Sequence, residues 1–77
     1  METRNANVLM YLAGPIVGAE IREIVRDLAR VAGVARVRPG AKLPRVLLVD
    51  YDPTLVAAQA LLALVRRRWS AAQLVGM

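Results

Sequence analysis

The stretch that decides the fold runs from Gly33 to Pro53 and reads GVARVRPGAKLPRVLLVDYDP. Val34 and Val37 alternate with arginines, which is typical of a half-buried strand. Branched aliphatic residues dominate Arg45–Tyr51, which predicts a second strand. The segment between them, Pro39–Pro44, has two prolines and a glycine, so we expect a hairpin loop there.

A helix pattern precedes this hairpin, from Ala19 to Ala32. Its apolar residues recur at spacings of three and four, with charged residues between them, which predicts one buried stripe. Gly33 follows the last of them, at a position where a left-handed backbone is expected. Further upstream, the apolar run from Asn7 to Gly14 predicts a buried strand that ends in a turn.

A second helix pattern follows the hairpin. Asp52 is a suitable capping residue and Pro53 suits the first helical position, so we expect a helix from Pro53 to about Trp69. A short closing strand is expected over Ala71–Val75. The resulting order of strand, helix, strand, strand, helix, strand predicts an α+β, ferredoxin-like sandwich, with two helices on one face of a four-stranded antiparallel sheet. We interpret residues 1–77 as one domain.

Composition narrows the possible functions. The chain has 77 residues, a formal charge of +5, no cysteine and no histidine. The chain therefore lacks the side chains that several kinds of site need. These are thiolate and imidazole metal sites, disulfide frameworks, and cysteine or serine–histidine nucleophiles. We predict that the protein is not an enzyme and carries no cofactor. The apolar runs are too short for a membrane helix and no secretory signal is recognisable, so we predict a cytoplasmic protein.

The spacing resembles that of the heavy-metal-associated domain of copper chaperones and metal-pumping P-type ATPases. That family combines a glycine-methionine loop carrying CxxC with apolar helix positions, a Gly-Val pair and a later Tyr-Asp-Pro. The corresponding positions in this sequence are Gly14, Ile21, Ile24, Leu28, Val31, Gly33, Val34, Val37, Tyr51, Asp52, Pro53, Leu61 and Val65. The similarity covers nearly the whole chain and implies the same fold and a context of heavy-metal transport or storage.

The family's metal ligands are missing. Counted back from Gly33, its two cysteine positions fall on Val17 and Glu20, and its loop methionine falls on Pro15. An isopropyl group and one carboxylate cannot replace two thiolates around cuprous copper. We therefore predict no metal at this site. The family's Gly-Tyr before the last strand is also replaced, by Trp69 and Ser70.

Two surfaces are candidates for protein contacts. Arg22, Arg26 and Arg30 lie four residues apart and align along one side of the first helix, where they form either a solvated face or a docking strip for an acidic partner. The resemblance favours docking, because domains of this family commonly dock through this helix. Strand alternation also places a second set on the sheet face away from the helices, for self-association or packing on a neighbouring transporter domain. Its members are Leu9, Tyr11, Val46, Leu48, Arg36 and Arg38.

Two other functions remain open. Met1, Met10 and Met77, or carboxylates such as Glu20, would bind a metal only as an unconventional site shared in an oligomer. Met10 is more typical of a core position. The basic charge also permits nucleic-acid binding, but only Tyr11 is available on the sheet face for base stacking. The leading hypothesis is a non-catalytic module with a degenerate metal site that acts through protein contacts.

Overall fold

Strands and helices follow each other in the predicted order. The protein is described by a computed structural model that covers residues 5–40 and 45–75. Its elements are β1 (Ala6–Leu12), α1 (Gly18–Ala29), β2 (Val34–Pro39), β3 (Val46–Tyr51), α2 (Ala58–Arg66) and β4 (Ala72–Val75). The strands form one antiparallel sheet in the order β2-β3-β1-β4. The ferredoxin-like fold predicted from the sequence is therefore confirmed.

The core lies between the sheet and the helices, and the buried side chains of residues 5–40 and 45–75 are all apolar or aromatic. Every second residue of β1 and β3 faces inward, because side chains alternate along a strand. The largest fully buried side chains of the described residues are Met10, Leu12, Ile24, Leu28, Leu47, Val49 and Leu61. Each buried aliphatic side chain contributes about 1.5–3 kcal/mol. Met10 is completely buried, as its strand position predicts.

The first helix ends earlier than its apolar pattern indicates. It stops at Ala29, and the chain then turns, with the Val34 amide donating to the Val31 carbonyl at 3.1 Å. Gly33 is the third residue of this turn and has a φ of +98°. A positive φ at the third residue of a turn is a left-handed conformation, which glycine adopts without strain. The left-handed conformation predicted for Gly33 is thus found, but in a separate turn.

The second helix is also shorter than predicted. The expectation that it begins at Pro53 and reaches Trp69 is wrong, because α2 spans Ala58–Arg66. Asp52 starts a single turn instead: its carboxylate accepts hydrogen bonds from the Thr54 hydroxyl at 2.6 Å and from the Thr54 amide at 2.9 Å. Ala57 is then extended, so the turn and the helix are separate. Part of the predicted hairpin loop, positions 41–44, lies outside the described residues.

Candidate functional site

The loop between β1 and α1 contains the positions that correspond to the family's metal ligands. Val17 is the last extended residue before α1, and its side chain is 57% exposed. Glu20 lies in the first turn of α1, where the helix dipole stabilises a carboxylate. Within residues 5–40 and 45–75, no three histidine, cysteine, aspartate or glutamate residues come together as a metal site would require. At these positions the loop presents hydrocarbon and one acid.

Trp69 holds this loop against the end of α2. Its indole N–H donates to the Ala13 carbonyl at 2.6 Å. Gly14 has a φ of +94°, and a Cβ built on it would lie 3.4 Å from the Trp69 ring. Sequence reasoning treated Trp69 only as a replacement for the family's Gly-Tyr and missed this role. The available signal was that a buried tryptophan needs an acceptor for its N–H.

The arginine stripe on α1, consisting of Arg22, Arg26 and Arg30, is exposed at all three positions. Arg26 forms an ion pair with Glu23 at 3.7 Å, and both side chains are solvated. Such a pair contributes little to stability because water screens it. Among the described residues, neither Arg22 nor Arg30 has a carboxylate within ion-pair distance. The exposed side of α1 is therefore positive.

Asp27, an acid of α1, is paired with an arginine that follows the second helix. Its carboxylate accepts from Arg68, with the Nη2 atom at 2.9 Å and the Nε atom at 3.0 Å. This contact ties the end of α2 to α1 and borders a groove of about 400 Å³ that Leu64 and Arg67 also line. Since Asp27 is paired with Arg68, it does not neutralise the arginine stripe.

The sheet register defines the surface that faces away from the helices. Arg38, Leu48, Leu9 and Val75 lie side by side across all four strands. Val46 and Tyr11 are paired in the next row, and Gln73 continues that row on β4. We call the apolar members of these rows the outer patch: Leu9, Tyr11, Val46, Leu48 and Val75. The strand pairing places four of the predicted residues together and adds Val75, which the sequence analysis missed because it did not assign a register to β4.

The charged residues of the same face lie towards β2. Arg36 is paired with Asp50, and Arg38 with Leu48. Both arginines are exposed, and they form the border of the outer patch that alternation predicts. Tyr11 is the single aromatic residue in the patch, so this face lacks the two or three stacking rings of an RNA-binding sheet. Of the methionines considered as ligands, Met10 is inaccessible in the core, and Met1 and Met77 lie outside the described residues.

Comparison with solved structures places the fold among metal-binding domains. The chain superposes on oxidized MerP from Ralstonia metallidurans with a TM-score of 0.79, 16% identity, and coverage of 95% of this chain and 100% of the other. A copper-binding domain of the P-type ATPase HMA7 superposes with a TM-score of 0.79 at 19% identity, and the match covers 95% of this chain and 96% of that domain. A copper-bound variant of CopA from Bacillus subtilis superposes with a TM-score of 0.71 at 20% identity, and the match covers 97% of this chain and 95% of the other.

The chain therefore shares the fold of these metal-binding domains, and the fold that the resemblance implies is confirmed. No protein-family model and no curated protein matches the sequence. Within residues 5–40 and 45–75, neither helix has the length and apolar character that crossing a bilayer requires.

Proposed function

We propose that this chain is a non-catalytic, heavy-metal-associated-like module that has lost its thiolate site and acts through protein contacts. The context is a copper-type transport or storage system, and the compartment is the cytoplasm. Support comes from the fold, which is shared with copper-binding and mercury-binding domains, and from a sequence without cysteine or histidine. Soft ions favour sulfur ligands, and the chain has no thiolate, so a scaffold of this fold suits recognition better than metal exchange.

The observation that carries this proposal is the arginine stripe on α1, in which Arg26 alone has an ion-pair partner among the described residues. Of the three acids of α1, Glu23 pairs with Arg26, Asp27 is bound to Arg68, and Glu20 is within ion-pair distance of neither Arg22 nor Arg30. Such a stripe attracts an acidic protein surface and orients it during encounter. The helix begins directly after the loop that carries Val17, so the same partner would contact the former metal loop.

Metal titration tests the loss of the site. We expect no stoichiometric complex with cuprous, cupric or zinc ions when binding is followed by native mass spectrometry and calorimetry. A double variant, Val17→Cys with Glu20→Cys, is the matched control because it restores a CxxC spacing on the same loop. Tight binding of one ion by the unmodified chain would contradict the proposal.

Association kinetics test the docking strip. The partner to assay is an acidic domain of a metal transporter or a copper chaperone. We expect Arg26→Glu to lower the association rate constant about tenfold at low salt and to flatten its salt dependence, because steering by exposed charges is screened. Arg36→Glu, an equal change of charge on the sheet, is the control. Equal effects of both variants would show that overall charge, and not the stripe, is recognised.

A further inference from the structure

The two edges of the sheet differ in how their backbone groups are used, and β4 forms the more closed one. Hydrogen-bonded and non-hydrogen-bonded pairs alternate along an antiparallel ladder. The Leu12 amide donates to the Arg45 carbonyl on the β3 side at 2.7 Å, so the backbone of its β4 partner Ala72 points outward. Both outward groups are occupied: the Ala72 amide donates to the Trp69 carbonyl at 3.2 Å, and the Ala72 carbonyl accepts from Arg66 Nε at 2.9 Å. The protein's own groups therefore close the start of this edge.

The other edge, formed by β2, is open in its C-terminal half. The Gly40 amide donates to the Val46 carbonyl at 2.7 Å, which makes this a hydrogen-bonded pair of the β2–β3 ladder. By alternation, the amide and carbonyl of Val37 and the carbonyl of Pro39 point away from β3. Within residues 5–40 and 45–75, neither residue has a hydrogen-bond partner on that side. We call Arg36–Pro39 the open edge, and an edge of this kind is a template for a further strand.

The side chains of the open edge alternate between the two faces of the sheet. Val37 packs against the core but is only half-buried, whereas its β3 partner Val49 is fully buried, so a further strand would cover Val37 on its free side. Arg36 and Arg38 are exposed on the outer face, and neither forms an ion pair with any described residue. Asp50 lies opposite Arg36 on β3, whereas an apolar residue lies opposite Arg38. Arg38 therefore has the less compensated charge.

We propose that the open edge binds an extended, acidic segment of a partner protein as a fifth, antiparallel strand of the sheet. The residue of that segment opposite Val37 exchanges two backbone hydrogen bonds with it, and the amide two positions earlier in the segment donates to the Pro39 carbonyl. The side chain opposite Val37 is apolar, and the two flanking side chains are carboxylates that lie opposite Arg36 and Arg38. In this mode of recognition, main-chain hydrogen bonds supply the affinity and alternate side chains supply the specificity.

The charges of the open edge select an acidic strand over a second copy of β2. If two copies paired antiparallel around Val37, Arg38 of each would lie opposite Arg36 of the partner subunit. Like charges directly opposite destabilise a strand pair, and charged side chains protect an edge from self-pairing. Carboxylates at the same positions replace both repulsions with attractions. The open edge shares no residue with the arginine stripe on α1, so this inference adds to the proposed function and does not depend on it.

Titration of the isotope-labelled chain with three synthetic peptides, followed by amide NMR shifts, tests strand addition. The first peptide is Thr-Glu-Val-Glu-Thr, and the second has lysine in place of both glutamates. The third is the first with an N-methylated valine, which removes the amide that donates to Val37. We expect the first peptide to shift the amides of β2 and to slow hydrogen exchange of the Val37 amide. The other two should bind about tenfold more weakly, because one loses both charge attractions and the other loses a backbone hydrogen bond.

Four outcomes of this titration would overturn the proposal. They are absence of binding by the first peptide, equal binding of the N-methylated peptide, and shifts confined to α1, which would assign the acidic peptide to the arginine stripe. The fourth is a shift of the β2 amides with the concentration of the chain alone, which would show that a second copy occupies the edge.

A charge reversal at Arg38 separates strand pairing from general electrostatic attraction. Arg38→Glu should raise the dissociation constant of the glutamate peptide about tenfold and lower that of the lysine peptide, because attraction and repulsion exchange places at one position. Arg22→Glu makes the same change of net charge on α1 and should leave both constants unchanged. Circular dichroism verifies the fold of each variant. Equal effects of the two variants would show that only overall charge is recognised, and would refute the pairing.

Discussion

At Gly33, both the backbone conformation and the packing require a residue without a side chain. Its φ of +98° disfavours any side chain, and a Cβ built there would lie 2.9 Å from the Leu55 Cβ and 3.1 Å from a Val56 methyl group. Its carbonyl also accepts the Asp52 amide at 2.7 Å, which joins the turn after α1 to the turn before α2. Movement to relieve one contact would disturb the others.

We therefore expect Gly33→Ala to lower the free energy of unfolding by about 2–4 kcal/mol, the sum of left-handed strain and overpacking. Urea denaturation followed by circular dichroism measures this change. Gly18→Ala is the control, since Gly18 lies at the start of α1 without a positive φ, and a Cβ built on it would meet only the flexible end of Arg22 at an ordinary contact distance of 3.6 Å. That variant should be neutral or stabilising. A tolerated Gly33→Ala would show that the two turns can separate.

The turn before α2 controls the ionisation of the Asp52 carboxylate. The Thr54 hydroxyl, and secondarily the Thr54 amide, donates to its carboxylate and lowers the pKa of Asp52 below its ordinary value of 3.8. Hydrogen bonds to the charged form favour that form. The stabilising contribution is complete above the ordinary pKa and is lost as the pH falls through the lower, folded value.

Thr54→Val should raise the pKa of Asp52 towards its ordinary value, because it removes the hydroxyl donor and keeps a branched side chain. Carboxyl carbon shifts recorded by NMR during an acid titration report this directly. Thr54→Ser retains the donor and should keep the pKa low. An unchanged pKa in Thr54→Val would assign the shift to the backbone amide alone.

At the scale of elements, Trp69 links the end of α2 to the β1–α1 loop. The indole reaches across from the end of α2, and its ring packs beside Gly14. We expect Trp69→Phe to cost about 0.5–1.5 kcal/mol, since it removes one hydrogen bond and keeps most of the ring. Hydrogen exchange of the loop amides should accelerate in this variant and stay unchanged in the neighbouring Ser70→Ala. Unaltered exchange would show that the loop is held by Ile16, which is buried beneath it.

The elements also show which structural features the sequence predicts. Periodicity identifies all six elements and the inward residues of the strands and of α1, because burial imposes apolar spacing directly. In α2 it places the exposed Ala60 inward and misses the buried Leu62. It overestimates both helices: apolar residues of the flanking turns, such as Val31 and Val56, continue the helical spacing while packing against the core. Long-range side-chain contacts have no local signal. The Arg68–Asp27 pair and the Trp69–Ala13 bond span 41 and 56 positions, and neither could be predicted.

At the scale of the whole molecule, the fold separates two surfaces of different chemistry. The helical side is basic and carries the α1 stripe, and the sheet side carries the outer patch bordered by Arg36 and Arg38. The core between them is continuous and closely packed, so each surface rests on a rigid support. No residue of the arginine stripe on α1 belongs to the outer patch of the sheet.

Variants on the two surfaces should therefore act independently, since effects at well-separated sites without common partners are additive. The sequence pattern predicts self-association through the outer patch. We expect Arg26→Glu to slow capture of an acidic partner without changing self-association, and Leu48→Asp to weaken self-association, measured by sedimentation velocity, without changing the rate constant of capture. The combined variant should show both losses, each equal to that of the single change. Loss of capture in Leu48→Asp alone would contradict this independence and show that partner binding also requires the outer patch.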